Sequence, residues 1–227
     1  MELAVEGYAD DTLVRAALDA LARAAGVTPA WRVGIEKRIP VAAGLGGGSS
    51  DAAAALRLGN ALLEAPLRSD ELHHVAAAVG SDVPFFLGSG ARLATGAGTD
   101  LAAVDLPSDY TVLLVLPHDR AKESTAAVYR DFDARGGHAG FDERRAVLYA
   151  ALERMRAARD LSELPPNDLA TSPLAEALAE LGAFRADVSG AGPAVYGLFD
   201  TTADAEAAAE ALRAEGRTWV TRPVAGP

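Results

Sequence analysis

Cysteine is absent from the 227 residues. Disulfides, thiolate nucleophiles and cysteine-held metals are therefore excluded. Lysine is nearly absent too: Lys37 and Lys122 are the only two among 21 basic residues, the rest being arginine. No apolar run reaches the roughly 20 residues that cross a bilayer. Met1–Glu6 has neither the basic start nor the apolar core of a signal peptide. A cytoplasmic protein without a membrane partner is expected. Positive charge is in deficit as well. The net charge of −11 opposes nucleic-acid binding, though it leaves room for a single phosphate ligand held by backbone amides. The four histidines carry no metal-ligand spacing: His73 and His74 are adjacent on a predicted helix and point apart, while His118 and His138 fall in predicted loops.

What is present is a chain that is 50% hydrophobic and 23% charged, long enough for one large domain or two small ones. It turns on Pro40-Val41-Ala42-Ala43-Gly44-Leu45-Gly46-Gly47-Gly48-Ser49-Ser50-Asp51, followed by four alanines. Glycine fills four of the five positions 44–48, so the backbone is bare and a ligand can come close. Ser49, Ser50 and Asp51 are good N-cap types, and the alanines behind them favour a helix. A bare loop feeding a helix N-terminus offers unpaired N–H groups and the positive end of the dipole to a phosphate. The competing reading is a flexible glycine linker. Two other phosphate loops are excluded. Gly48 is followed by Ser49-Ser50 and not by Lys-Ser or Lys-Thr, and Ser49 stands where a dinucleotide fingerprint starting at Gly44 needs Gly or Ala.

The rest of the chain reads as α+β. Asp10 and Asp11 can cap a helix over 12–25, with Val14, Ala17, Leu18, Leu21 and Ala25 on one face and Gly26 as the stop. Trp31, Val33, Ile35 and Ile39 alternate with polar residues as a half-buried strand. A helix to about Leu63 follows the loop, with Gly59 allowing close packing. Ser69 caps a third helix, closed by Gly80. Pro84 is expected to hold Val83 extended, which puts Asp82 on a tight turn between a helix and a strand; its plain role there is an ordinary turn aspartate. Strands are expected at 91–95, 110–116, 184–188, 194–199 and 217–222, and helices at 124–132, 142–158, 173–181 and, capped by Thr201 or Thr202, to 214. From 105 onward this order fits a split βαβ, ferredoxin-like unit. Two domains, 1–104 and 105–227, are expected.

Pro-x-x-x-Gly-Leu-Gly-Gly-Gly-Ser-Ser-Asp-Ala-Ala resembles the phosphate loop of the GHMP small-molecule kinases. The triple glycine with Ser-Ser-Asp is similar to one branch, which acts on a cytidine-diphosphate sugar alcohol in non-mevalonate isoprenoid synthesis. Gly80-Ser81-Asp82-Val83-Pro84-Phe85-Phe86, Asn167-Asp168-Leu169 and Ser189-Gly190-Ala191-Gly192-Pro193 resemble further family segments, with Ala191 in place of a serine. Ser124-Thr125 with Val128-Tyr129 resembles a segment on the substrate side. The resemblance implies a two-domain fold, with a ribosomal-protein-S5-like N-terminal domain and a ferredoxin-like C-terminal one. It implies that Pro40–Ser50 binds ATP, that Asp82 is the catalytic base, that Ser189, Gly190, Ala191 and Gly192 form a second glycine motif, and that Mg²⁺ bridges the phosphates with Ser50 or a water as ligand. A small-molecule partner and a monomer or homodimer are expected. The family's leading Pro-Ala-Lys-x-Asn and Gly-Tyr-His motifs are not matched, Gly7-Tyr8-Ala9 being a poor substitute, so the N-terminal domain reads as shortened. Lys37 and Lys122 are the only candidates for the lost lysine; Lys37 leads into the loop and either reaches it or, as expected, sits on a strand surface, and Lys122 is expected at a helix entrance. A nucleotide-binding but catalytically impaired protein, or a homoserine or phosphomevalonate type of kinase, are the alternatives.

Overall fold

The computed structural model describes residues 4–8, 13–118 and 125–224. The chain forms two compact units. One comprises the residues up to Val41 together with Gly46–Val104; the other comprises Ala42–Leu45 with the chain from Asp105 onward. The glycine loop is thus divided, four of its residues clustering with the second unit. Among the described residues no helix is long and apolar enough to cross a membrane.

In the first unit, helices α1 (Leu13–Ala25), α2 (Gly47–Ala61) and α3 (Ser69–Val79) pack together beside a short parallel pair, β1 (Ala4–Glu6) and β2 (Arg32–Gly34). The apolar face of α1 buries Val14, Ala17, Leu18, Leu21 and Ala22, the first four in one core cluster with Ala52, Ala53, Ala55 and Leu56 of α2. Ala22, not Ala25, completes that face. Gly26 ends α1 at φ +66° in a Schellman turn, with Val27 N–H donating to Ala22 and Gly26 N–H to Arg23. Asp10 and Asp11, expected to cap α1, lie outside the described residues. Gly59 is where α1 and α2 come closest: a Cβ there would stand 2.8 Å from Leu21 Cδ2 and 2.9 Å from Leu18 Cδ2.

Several local expectations are corrected. The strand predicted through Ile39 stops at Gly34, because its partner β1 ends at Glu6 and Gly7, though still against Ile35, leaves the extended form at φ +91°; Ile39 is exposed. α3 has Arg68, not Ser69, at its N-cap, and Glu71 accepts from Arg68 N–H at 2.9 Å. Val83 is helical (φ −64°, ψ −42°), not extended. The local bias before proline gives way because Val83 is fully buried and opens the 3-10 turn Pro84–Leu87. Asp82 therefore sits between a helix and a 3-10 turn. A hairpin of β3 (Arg92–Thr95) and β4 (Asp100–Ala103) closes this unit; β4 was not predicted.

The second unit is a four-stranded antiparallel sheet in the order β6-β7-β5-β8, formed by β5 (Thr111–Pro117), β6 (Arg185–Val188), β7 (Val195–Phe199) and β8 (Gly216–Thr221). With α4 (Thr125–Ala134), α5 (Phe141–Arg154) and α6 (Pro173–Glu180) between β5 and β6, and α7 (Thr202–Ala211) between β7 and β8, this is the ferredoxin-like order expected. Leu113, Val115, Val195 and Phe199 join Leu178 of α6 and Ala205 and Ala208 of α7 in one core layer. The opposite sheet face carries Leu198 and Tyr196 against Met155 and Leu161, the latter on a 3-10 segment Ala158–Glu163 that was not predicted. Thr201 caps α7, its hydroxyl accepting from Asp204 N–H at 3.1 Å.

Candidate active site

The glycine stretch does make a loop followed by a helix, but the helix starts earlier than the sequence suggests. α2 opens at Gly47, with Gly46 as N-cap at φ +67° and no side-chain cap. Ser49, Ser50 and Asp51 lie within the helix, so none of them caps it. The first amide with an acceptor in the helix is Ser50, which donates to Gly46 at 2.8 Å. That leaves the amides of Gly47, Gly48 and Ser49 without an intrahelical acceptor, at the positive end of a 15-residue helix. Two of these three donors belong to glycines, so no Cβ screens them. A capping side chain would have occupied the place where an anion can bind. Ser50 Oγ donates to Gly47 O at 2.8 Å, which commits its proton and leaves its lone pairs available to a cation.

Asp82 belongs to the same unit. It is exposed on the turn after α3, and Ser81 Oγ at 3.5 Å is its one side-chain neighbour at hydrogen-bond range among the described residues. No ion pair among the described residues ties its carboxylate. The turn itself is firmly held. Val83 and Pro84 are buried, and the Phe86 ring lies so close to Gly46 that a Cβ there would be 2.6 Å from Cζ. Arg57 of α2 donates to Phe86 O at 3.0 Å. The Asp82 segment and the start of α2 are thereby fastened together, which the sequence did not reveal.

Lys37 departs from the strand-surface expectation and takes the alternative, reaching Asp51 at the end of the glycine stretch. It is neither on a strand nor at the surface: its side chain is only 18% exposed and pairs with Asp51 at 2.5 Å. Its Nζ also stands 5.2 Å from the Tyr8 ring centroid. Lys122 and Ser124 lie outside the described residues.

The other part of the loop, Ala42–Leu45, belongs to the second unit and meets the second glycine motif there. Gly44, at φ +80°, fits only because it has no side chain: a Cβ would overlap Ser189 O and stand 2.8 Å from Gly192 O. Ser189 Oγ donates to Gly44 O at 2.8 Å, and Ala194 N–H donates to Ala43 O at 3.0 Å. Ala42, at φ +57°, is the one non-glycine residue with positive φ in the described chain. Pro40 and Val41 precede this contact; Val41 is 57% exposed. The 189–192 turn is closed by Gly192 N–H donating to Ser189 O at 2.9 Å, with Gly190 at φ +57° and Gly192 at φ +72°. Ala191 sits half-buried within it.

Sequence reasoning missed what supports this turn. Asn167 Nδ2 donates to Val188 O at 2.9 Å and to Gly190 O at 2.7 Å. Asp187, 7% exposed, accepts from Asn167 N–H at 2.6 Å through Oδ2 and from Val188 N–H at 2.8 Å through Oδ1. Arg185 stands 3.5 Å from Asp187 and also donates to the carbonyls of Leu161, Leu164 and Pro165. The available signal was two charges, Arg185 and Asp187, on one face of a short strand otherwise made of Ala186 and Val188. Elsewhere, His73 Nε2 bonds Thr99 O at 3.0 Å and His74 Nδ1 bonds Asp70 O at 2.7 Å, and among the described residues no cluster of acids and histidines could hold a metal.

Residues 12–90 match the family described as GHMP kinases N terminal domain, and residues 148–218 match GHMP kinases C terminal. The chain is 37% identical to the 4-diphosphocytidyl-2-C-methyl-D-erythritol kinase of Prosthecochloris aestuarii, over 93% of its own length and 76% of the relative's. It is 43% identical to the enzyme of the same name from Anaeromyxobacter sp., over 95% of its own length and 69% of the relative's. It also resembles a crystal structure of a 4-(cytidine 5'-diphospho)-2C-methyl-D-erythritol kinase, with a TM-score of 0.74 and 32% identity, covering 99% of this chain and 82% of that one. Motifs, fold order and whole-chain likeness agree: the chain belongs to the GHMP kinases, within the family of the 4-diphosphocytidyl-2-C-methyl-D-erythritol kinases.

Proposed function

We propose that the chain transfers the γ-phosphoryl group of ATP to the 2-hydroxyl of 4-diphosphocytidyl-2-C-methyl-D-erythritol. The observation that carries this reading is the opening of α2 inside the triple glycine. Two of its three orphan amides belong to glycines and so have no Cβ of their own beside them, and the Asp82 turn is fixed to the same N-cap through Phe86.

Phosphoryl transfer needs little covalent help from a protein; it needs negative charge stabilised and a hydroxyl positioned in line with the phosphorus. The amides of Gly47, Gly48 and Ser49 and the α2 dipole hold the phosphate oxygens, and Pro40–Leu45 lead the backbone up to them. Ser189, Gly190, Ala191 and Gly192 form a second glycine motif, which holds the Ala42–Leu45 part of the loop through Gly44. The substrate oxygen attacks phosphorus, the bond to the β-γ bridging oxygen breaks, and ADP leaves. Asp82 accepts the hydroxyl proton. A carboxylate without an ion pair suits that task, since no partner has to be displaced. Mg²⁺, when bound, neutralises charge on the phosphates. Ser50, whose oxygen keeps free lone pairs, or a water would serve as a ligand, since Mg²⁺ rarely takes an all-protein cage.

The test is ADP release with this substrate beside homoserine and phosphomevalonate. Turnover of one of the others alone would refute the substrate assignment. ATP binding without turnover of any would refute the kinase reading and leave a nucleotide-binding protein. Asp82→Asn is expected to abolish turnover while ATP still binds; retained turnover would remove Asp82 as the base.

A further inference from the structure

We propose that Asn167 and Asp187 are positioning residues for the nucleotide, acting through the Ser189–Gly192 turn. The inference rests on the reading that Ala42–Leu45, which meets this turn within the second unit, is part of the ATP-binding loop. Neither side chain needs to touch the ligand.

The turn has little of its own to hold it. Gly190 and Gly192 are among the most flexible residues a chain can have, and Ala191 between them adds only a methyl group. Its shape is set from outside. The Asn167 carboxamide uses both its N–H groups on the carbonyls of Val188 and Gly190, one before and one within the turn. Its oxygen accepts from Leu169 N–H at 2.9 Å, so the side chain has no freedom to rotate. Its backbone is held in turn by Asp187, at 2.6 Å. Asp187 is buried as a charge, which is costly unless its oxygens are satisfied. They are: two backbone amides and the nearby Arg185 guanidinium supply the donors. Arg185 is anchored by three main-chain carbonyls and by the Tyr196 hydroxyl.

The chain of contacts ends at the loop. With Gly190 O engaged by Asn167, Ser189 is set to donate to Gly44 O, and Gly44 rests against Ser189 O and Gly192 O. The network therefore fixes which way the turn's groups point before a ligand arrives. Preorganisation of this kind raises affinity by removing the cost of ordering a loop on binding.

The test measures ATP affinity by calorimetry, and amide hydrogen exchange over 189–192, in the wild type, Asn167→Ala and Asp187→Asn. Folding is checked by circular dichroism. Asn167→Ala is expected to weaken ATP roughly tenfold, the scale of losing charge-free hydrogen bonds that hold a loop, and to speed exchange at Gly192 and Ser189. Asp187→Asn, which keeps the shape and one acceptor oxygen, is expected to do the same to a smaller degree. Wild-type affinity in both folded variants would overturn the proposal, as would faster exchange with no loss of affinity. A wild type that fails to bind ATP would overturn it together with the function above. A wild type that binds ATP yet turns over none of the candidate substrates would overturn that function alone and leave the positioning role standing.

Discussion

Gly44→Ala tests most directly whether the loop must press against the second glycine motif. Gly44 faces two separate obstacles to a side chain. Its φ of +80° costs an alanine about 1–2 kcal/mol. Its Cβ would also overlap Ser189 O and come within 2.8 Å of Gly192 O. Those are main-chain atoms, so no side-chain rotation relieves the clash; the 189–192 turn would have to move as a body. Overpacking of this kind costs about 1–3 kcal/mol more. The expected total is about 2–5 kcal/mol, a large part of an ordinary domain's stability.

Gly26 supplies the control. It has a similar φ of +66°, but nothing lies within 4 Å of its would-be Cβ. Gly26→Ala should therefore show the conformational cost alone, about 1–2 kcal/mol. Trp31 lies in the unit that holds Gly26, and Trp219 on β8 lies in the unit that holds Gly44. Urea denaturation followed by fluorescence, with Trp31→Phe as background for Gly44→Ala and Trp219→Phe as background for Gly26→Ala, reads each unit by itself. Gly44→Ala should also weaken ATP binding, because it displaces the loop from Ser189. If Gly44→Ala costs no more than Gly26→Ala, the overlap argument is wrong and the contact is loose.

Three further outcomes are expected. Asp51→Ala leaves Lys37, 18% exposed, without its carboxylate; removing a hydrogen-bonded charge partner from a half-buried site should cost about 1–2 kcal/mol in urea denaturation, and a cost within error of zero would show the pair to be an ordinary surface contact. Gly59→Ala gains about 1 kcal/mol of helix propensity but pushes a methyl against Leu18 and Leu21, which are 1% and 0% exposed, at about 1–3 kcal/mol; a net loss of about 1 kcal/mol is expected, and a rise in the melting midpoint would refute the close-packing account. Asp160 accepts from the amides of Ala157 and Arg156, each at 2.8 Å, and these bonds hold its carboxyl below the ordinary 3.8. A depressed folded-state value means stability that is present above about pH 4 and lost as pH falls through the folded value. The stability gap between wild type and Asp160→Asn should accordingly close on acidification below about pH 4, and a gap that stays constant down to pH 2 would rule out the carboxylate as its source.

The sequence made legible what repeats locally. The face Val14, Ala17, Leu18 and Leu21 follows the helical period, Gly26 marks its stop, and the apolar run of β5 with the later strand–turn–strand pattern suffices for the ferredoxin-like order. The loop was singled out by its glycines, and the Asp82 segment and the second glycine turn by their resemblance to family segments. Hidden were the features decided between distant segments. Ser49, Ser50 and Asp51 are better cap residues than glycine, yet α2 begins ahead of them, since Gly46 can adopt the left-handed cap while Phe86 covers it from forty residues away. Val83 breaks the rule for a residue before proline because its side chain is wanted in the core. Lys37 looked like one polar residue in an alternating strand; only the fold brings Asp51 and Tyr8 to it. Arg185 and Asp187 are separated by a single residue, too near to suggest a ligand set and too ordinary to suggest a clamp, and their use depends on where Asn167 arrives. Residues that bear chemistry leave a mark in composition, because few side chains can do the work. Residues that aim the chemistry are chosen by geometry, and many side chains could serve if the backbone were elsewhere. Asp82, read by its residues alone, is an ordinary turn aspartate and was singled out only by its resemblance to a family segment, whereas Asn167 had no visible partner until the fold put the carbonyls of Val188 and Gly190 in front of it.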